Sequence, residues 1–124
     1  MNALGQHVIL ELRECNPRLL NDLPFLQRAL LDAARETGAT VIGQTFHQFS
    51  PHGVTGVIAI AESHLCIHTW PEHDYAAVDV FTCGENFDAR GAADLIIQRL
   101  ESRNPSLMVV ERGVLAARPA QPVA

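Results

Sequence analysis

The side chains able to do chemistry are concentrated in one stretch of this chain. Between His47 and Cys83 fall five of the six histidines, two of the three cysteines, and the only tryptophan and tyrosine. Inside that stretch runs Glu62-Ser63-His64-Leu65-Cys66-Ile67-His68-Thr69-Trp70-Pro71-Glu72. On a strand, residues two apart share a face. His64, Cys66 and His68 would then form a row of zinc-type ligands, with Cys83 or His73 as a fourth. The row is a poor chelator, because same-face neighbours sit about 6.6 Å apart. Bonds of roughly 2.1–2.3 Å cannot gather three of them on one ion, so no metal is expected. For His64 and His47, hydrogen-bonded core or interface roles fit better. A second chemistry is nucleophilic: Ser63, His68 and Cys83 offer a Ser-His or a Cys-His pair. There is no Gly-x-Ser-x-Gly elbow, however, and a serine at a strand start is ordinarily a turn residue.

Composition narrows the choice. All nine basic residues are arginine. Without lysine there can be no lysine Schiff base, no anchored pyridoxal phosphate and no P-loop lysine. Any amine or carbonyl chemistry must take its electrophile from elsewhere. Fourteen acidic residues bring the net charge to −5, which argues against a nucleic-acid groove or an anionic membrane surface as partner. No apolar run reaches the roughly 18 residues of a membrane span, and no signal peptide is evident at the start. Three cysteines without CxxC spacing read as free thiols of a reducing compartment, so the expected location is the cytoplasm. The 124 residues, 48% hydrophobic and 19% charged, suit one globular domain, residues 1–115. The Ala- and Pro-rich segment from Ala116 to Ala124 reads as a frayed tail.

The elements that must position these residues follow from periodicity. His7 to Glu14 alternates as a strand, with Val8, Leu10 and Leu12 on one face. Asn21 or Asp22 caps a helix starting near Leu23, with Pro24 in its first turn and Gly38 ending it. Leu23, Leu26, Leu30, Ala33 and Ala34 share its apolar face. Thr40 to Phe49 and Val54 to Ala61 form a hairpin around Ser50-Pro51-His52-Gly53. The second of these strands is apolar on both faces, which predicts cover on both sides. His64 to Trp70 and Ala76 to Thr82 follow as strands. Asp88 caps a second helix, with Ala93, Ile96, Ile97 and Leu100 inward, and Ser106 to Glu111 is a last strand. The order β-α-β-β-β-β-α-β predicts an α+β two-layer sandwich: a mostly antiparallel sheet with two helices on one face. The bare sheet face then needs a cover, and a second copy of the chain is the simplest one.

Three strings carry a family likeness. They are Phe49-Ser50-Pro51-His52-Gly53-Val54-Thr55-Gly56-Val57, then Ala61 through Glu72, then Tyr75-Ala76-Ala77-Val78-Asp79-Val80-Phe81-Thr82-Cys83-Gly84. With the opening Met1-Asn2-Ala3-Leu4-Gly5-Gln6-His7, they resemble the short prokaryotic S-adenosylmethionine decarboxylase proenzymes, and the likeness extends to about Gly113. The resemblance answers the missing lysine, because members of that family make their own electrophile. It implies that Ser63 attacks the carbonyl of Glu62, and that elimination and hydrolysis leave a pyruvoyl group at position 63. The products would be a β chain, residues 1–62, and an α chain, residues 63–124. It further implies His68 and Thr55 as processing residues and Cys83 as the proton donor to the decarboxylated substrate. Substrate contacts fall to Phe49 (adenine stacking), Leu65, Trp70 and Glu72 (ribose hydroxyls). The implied substrate is S-adenosylmethionine, decarboxylated to supply the aminopropyl donor for spermidine. The implied assembly is a homodimer of αβ units, with neither pyridoxal phosphate nor metal. Stimulation by putrescine, known in larger relatives, is not expected, since no acidic cluster for it is evident.

Two departures stand out. Thr55 replaces the family's usual serine; the hydroxyl survives, but the methyl restricts its rotamer, and slower processing is expected. His73-Asp74 replaces a common Tyr-Gly pair. Asp74 could favour the cationic side chain of arginine or ornithine, the substrates of some relatives, whereas Phe49 and Glu72 favour the adenosyl substrate. An unprocessed, non-enzymatic homologue is the alternative outside the enzyme class.

Overall fold

A computed structural model describes residues 3–115; the expected tail, Ala116 to Ala124, falls outside the described residues. Six strands form one sheet: β1 (Ala3–Arg13), β2 (Thr40–Gln48), β3 (Val54–Ala61), β4 (Ser63–Trp70), β5 (Tyr75–Thr82) and β6 (Asn104–Val114). Their spatial order is β2-β3-β4-β5-β1-β6, and each neighbouring pair is antiparallel. β2 to β5 thus form a meander of hairpins, and β1 and β6 are added beside β5. Helices α2 (Leu23–Glu36) and α3 (Ala89–Arg99) lie against one face, with the short helix α1 (Pro17–Leu20) at the end of that layer.

Local chemistry sets the boundaries. Asp22 accepts the backbone N–H of Phe25 at 3.1 Å and caps α2, while Asp88 accepts that of Gly91 at 3.0 Å and caps α3. Gly38, at φ +103°, takes the left-handed turn past the end of α2 that a side chain would resist. Helix α1 was not expected: four residues carry no periodicity, and it forms because Asn16 caps it through the N–H of Arg18 at 3.1 Å. β1 and β6 both run longer than their apolar alternation suggested, because they pair with each other from Ala3↔Val114 to Arg13↔Asn104. Pro105 is tolerated there because β6 is an edge strand.

The core is the space between sheet and helices. Val8, Leu10, Leu12, Ile58, Leu65, Ile67, Val78 and Val80 of the sheet meet Leu26, Leu30, Ala33, Ala93 and Ile96, all essentially buried. Each fully buried Leu or Ile contributes about 1.5–3 kcal/mol. Arg99 Nη1, 3.1 Å from Asp32 Oδ2, ties α3 to α2. The expectation of cover on both faces of β3 is corrected for the single chain. Ile58 is buried, but Val57 on the other face is 39% exposed. That second face carries Val57, Trp70 and Met108, all exposed; the helices do not reach it. Among the described residues, no helix is long and apolar enough to cross a membrane.

Candidate active site

The residues singled out in the sequence gather at the two opposite ends of β4. At one end, the tight β3–β4 turn presents Ser63, with its Oγ 3.4 Å from Cys83 Sγ, in hydrogen-bond reach for a sulfur. Ser63 comes to Cys83 because it stands opposite Thr82, so the segment leaving β5 passes beside it. The Thr82 hydroxyl accepts the N–H of Gly84 at 3.0 Å and fixes that exit. A cleft of about 490 Å³ opens here, lined by Gly38, Thr40, Glu62, Cys83, Gly84 and Asn86 among others. Cys83 is exposed, unlike the other two thiols. Burial, with Asp79 adding to it, pushes the Cys66 thiol up to about 11, and burial is likewise the largest cause that takes Cys15 to about 11.

At the other end, Thr55 pairs across the ladder with His68, and Thr55 Oγ1 lies 3.0 Å from His68 Nδ1. Both face away from the helices. Phe49, His52, Trp70 and Glu72 join them around a cleft of about 320 Å³. Each wall is braced: His47 packs edge-on to Phe49 at 4.6 Å between centroids, and Tyr75 lies 5.4 Å from Trp70. Tyr75 donates its hydroxyl proton to Glu11. Burial, then that hydrogen bond, pushes Tyr75 up to about 12. Thr69, buried beneath, accepts Val54 N–H at 2.8 Å and donates to Leu20 O at 2.7 Å, fixing the strand ends below the cleft.

Five residues of extended strand separate Ser63 from His68, about 16 Å. One chain therefore brings Ser63 to Cys83 and Thr55 to His68, but not the first pair to the second. Leu65 is fully buried in the helix-side core, so any part it plays in a site falls to its backbone. His73 and Asp74 are exposed and do not line the Phe49–Trp70 cleft. The ligand row of the sequence is split among three environments. His64 packs against Phe81, with ring centroids 5.8 Å apart; Cys66 stands beside Asp79; His68 meets Thr55. Among the described residues, no group of three or more His, Cys, Asp or Glu converges as a metal site. Reading the sequence missed His52, whose Nε2 lies 3.1 Å from Glu72 Oε1, and the Glu11–Tyr75 brace. Both join segments that only strand pairing brings together.

Known proteins resemble this chain along nearly its whole length. The family model for S-adenosylmethionine decarboxylase matches residues 6–113. An S-adenosylmethionine decarboxylase proenzyme of Thermodesulfovibrio yellowstonii is 50% identical over 118 residues, covering 95% of this chain and 87% of the relative. One of Clostridium tetani is 45% identical over 124 residues, covering 100% and 95%. Among solved structures, the crystal structure of the adenosylmethionine decarboxylase from Aquifex aeolicus superposes with a TM-score of 0.88 at 36% identity, covering 98% of this chain and all of that one.

Proposed function

The chain belongs to the S-adenosylmethionine decarboxylase family, and from that premise we propose a self-cleaving enzyme that decarboxylates S-adenosylmethionine using a pyruvoyl group made from its own Ser63. The single observation that carries this reading is the Ser63 hydroxyl in a tight turn, 3.4 Å from the exposed thiol of Cys83. A pyruvoyl group fits here: Ser63 lies between Glu62 and Cys83, both of which line a cleft of about 490 Å³, and a chain without lysine cannot anchor pyridoxal phosphate through a lysine Schiff base.

Cleavage begins when Ser63 Oγ attacks the carbonyl carbon of Glu62 and an ester replaces the amide. Removal of the Ser63 α-proton expels the Glu62 carboxylate, leaving a dehydroalanine at position 63. Uptake of water and release of ammonia then give the pyruvoyl terminus of the α chain, residues 63–124, beside a β chain of residues 1–62. The base is His68. If Nδ1–H donates to Thr55 Oγ1, the free lone pair is on Nε2, as a general base requires.

His68 can act on Ser63 only from another copy, given the separation of about 16 Å along β4. Two sheets stacked on their open faces about a two-fold axis, lying between them and across the strands, run antiparallel. The Ser63 end of each then lies over the His68 end of the other. Each of the two sites takes Ser63 and Cys83 from one protomer, and Thr55, His68, Phe49, Trp70 and Glu72 from its partner.

Once formed, the pyruvoyl carbonyl supplies the electron sink for loss of CO₂ from the substrate. Cys83 then returns a proton to the substrate α-carbon, a task that suits a thiol because thiols ionise nearer neutrality than hydroxyls do. Phe49 receives the adenine and attracts the sulfonium charge, and Glu72 accepts hydrogen bonds from the ribose hydroxyls.

Intact mass spectrometry of the purified protein tests the first half. Two chains divided between Glu62 and Ser63 are expected, the second with a pyruvoyl terminus; one persistent full-length chain would overturn the reading. Turnover of S-adenosylmethionine set against arginine and ornithine tests the substrate, and inactivity on the first would remove it.

A further inference from the structure

Two turns close the mouth of the Phe49–Trp70 cleft. His52 lies in the turn joining β2 to β3, three residues beyond Phe49; Glu72 lies in the 3-10 turn Pro71–His73, two residues beyond Trp70. Each turn is tied to one aromatic wall, and the two meet through His52 Nε2 and Glu72 Oε1 at 3.1 Å. Gly53, at φ +106°, bends the first turn back toward the second.

The side chains of this pair are 37% and 43% exposed. A pair this wet adds little to folding stability, so its consequence must lie elsewhere. A glutamate on a three-residue turn has three side-chain torsions to order when it binds a ligand, and a partner that already holds one oxygen removes much of that cost. We propose that His52 is a positioning residue for nucleoside recognition: it holds the Glu72 carboxylate at the cleft mouth, ready to accept the vicinal hydroxyls of a ribose seated against Phe49 and Trp70. This rests on the ribose role proposed above for Glu72, and it adds the residue that sets how well Glu72 performs it.

The test separates binding from turnover. The probe is 5′-methylthioadenosine, which carries the nucleoside but neither α-amine nor carboxylate. Its binding is read from the fluorescence of Trp70, the only tryptophan, in full-length Ser63→Ala protein, which needs no pyruvoyl group to bind. His52→Leu should weaken binding about tenfold. His52→Gln, which keeps a donor at similar reach, should return it to within about twofold. With the 2′,3′-dideoxy analogue the three proteins should bind alike, because the hydroxyls that Glu72 reads are gone. In the cleavable chain, His52→Leu should raise KM for S-adenosylmethionine by a similar factor while kcat moves less than about twofold. Equal binding of the hydroxylated probe by His52→Leu and its parent would overturn the proposal, as would a loss that persists with the dideoxy probe. Failure of the His52-containing parent to bind the probe would instead remove the ribose role of Glu72, leaving cleavage at Ser63 to stand or fall on its own mass spectrum.

Discussion

The two ends of β4 are built on different terms. Around His68 nearly every group has a bracing partner. Its ring meets Thr55, Phe49 is braced by His47, Trp70 by Tyr75, which is itself tied to Glu11, and Thr69 pins the strand ends below. Around Ser63 the fixings are few: one contact with Cys83 and one turn held by Thr82. The His68 end keeps its shape throughout the proposed chemistry and gains from preorganisation. The Ser63 end must break its own backbone and later admit a substrate, so the proposed chemistry needs it open to the cleft. In the composite site proposed above, each chain carries half of a tool at each end.

The most direct way to break this comparison is to damage one end per chain. Ser63→Ala and His68→Ala should each abolish cleavage and decarboxylation when expressed alone. Co-expressed with different tags, they should form mixed dimers in which one of the two sites is whole. Mass spectrometry should then find the His68→Ala chain cut and the Ser63→Ala chain intact, with decarboxylation restored. No cleavage in a purified mixed dimer would place both residues in the service of a single chain and end the composite site.

Within the Ser63 end, Cys83 is assigned to turnover, not to cleavage. Cys83→Ala should cleave normally while release of CO₂ falls about 10²–10⁴-fold, the range of a lost proton donor. A folded Cys83→Ala protein that stays uncut would move the thiol into the cleavage step. The contrast also extends to the middle of the sheet. Cys66 is pushed up to about 11 by burial and Asp79, so at pH 8 only about one thiol in a thousand is ionised. Cys83, exposed, should be alkylated first, and the Cys66 rate should climb about tenfold per pH unit until about 11. Because the unfolded thiol ionises first, this shift contributes stability below about pH 9 and loses it as pH rises toward 11. Peptide mapping after timed iodoacetamide pulses checks the rates.

Much of this was legible in the residues, for physical reasons that also mark the limit. Val8, Leu10 and Leu12 announce a strand by period two, and Asp22 and Asp88 announce helix starts by their caps. The family strings singled out Ser63, His68 and Cys83 as candidates. What the linear string conceals is direction and distance. Ser63 and His68 look adjacent on paper, yet extended backbone carries them to opposite ends of the sheet. The apolar second face of β3 led to an expectation of cover on both sides, but Val57 stands exposed because the helices pack on the other face alone. The His52–Glu72 contact was illegible because it depends on two turns that meet only after β2, β3 and β4 are in register.

The smallest effect is expected at Thr55, and it sharpens the view of the His68 end as preorganised. The hydroxyl stands 3.0 Å from His68 Nδ1, so the contact that sets the imidazole is already made in the threonine chain. What serine would change is freedom: a β-branched residue keeps one χ1 well at the expense of the others, and the imidazole must shift slightly as the base takes up its proton. Thr55→Ser should therefore speed cleavage only about threefold, a difference of about 0.7 kcal/mol in the barrier. Thr55→Val, which keeps the shape and removes the hydroxyl, should slow cleavage about tenfold or more. A time course of chain cleavage after rapid refolding measures all three. If serine were no faster than threonine, the methyl would be neutral and the slower-processing expectation would be dropped. If valine cleaved as fast as threonine, the Thr55–His68 contact would have no part in orienting the base.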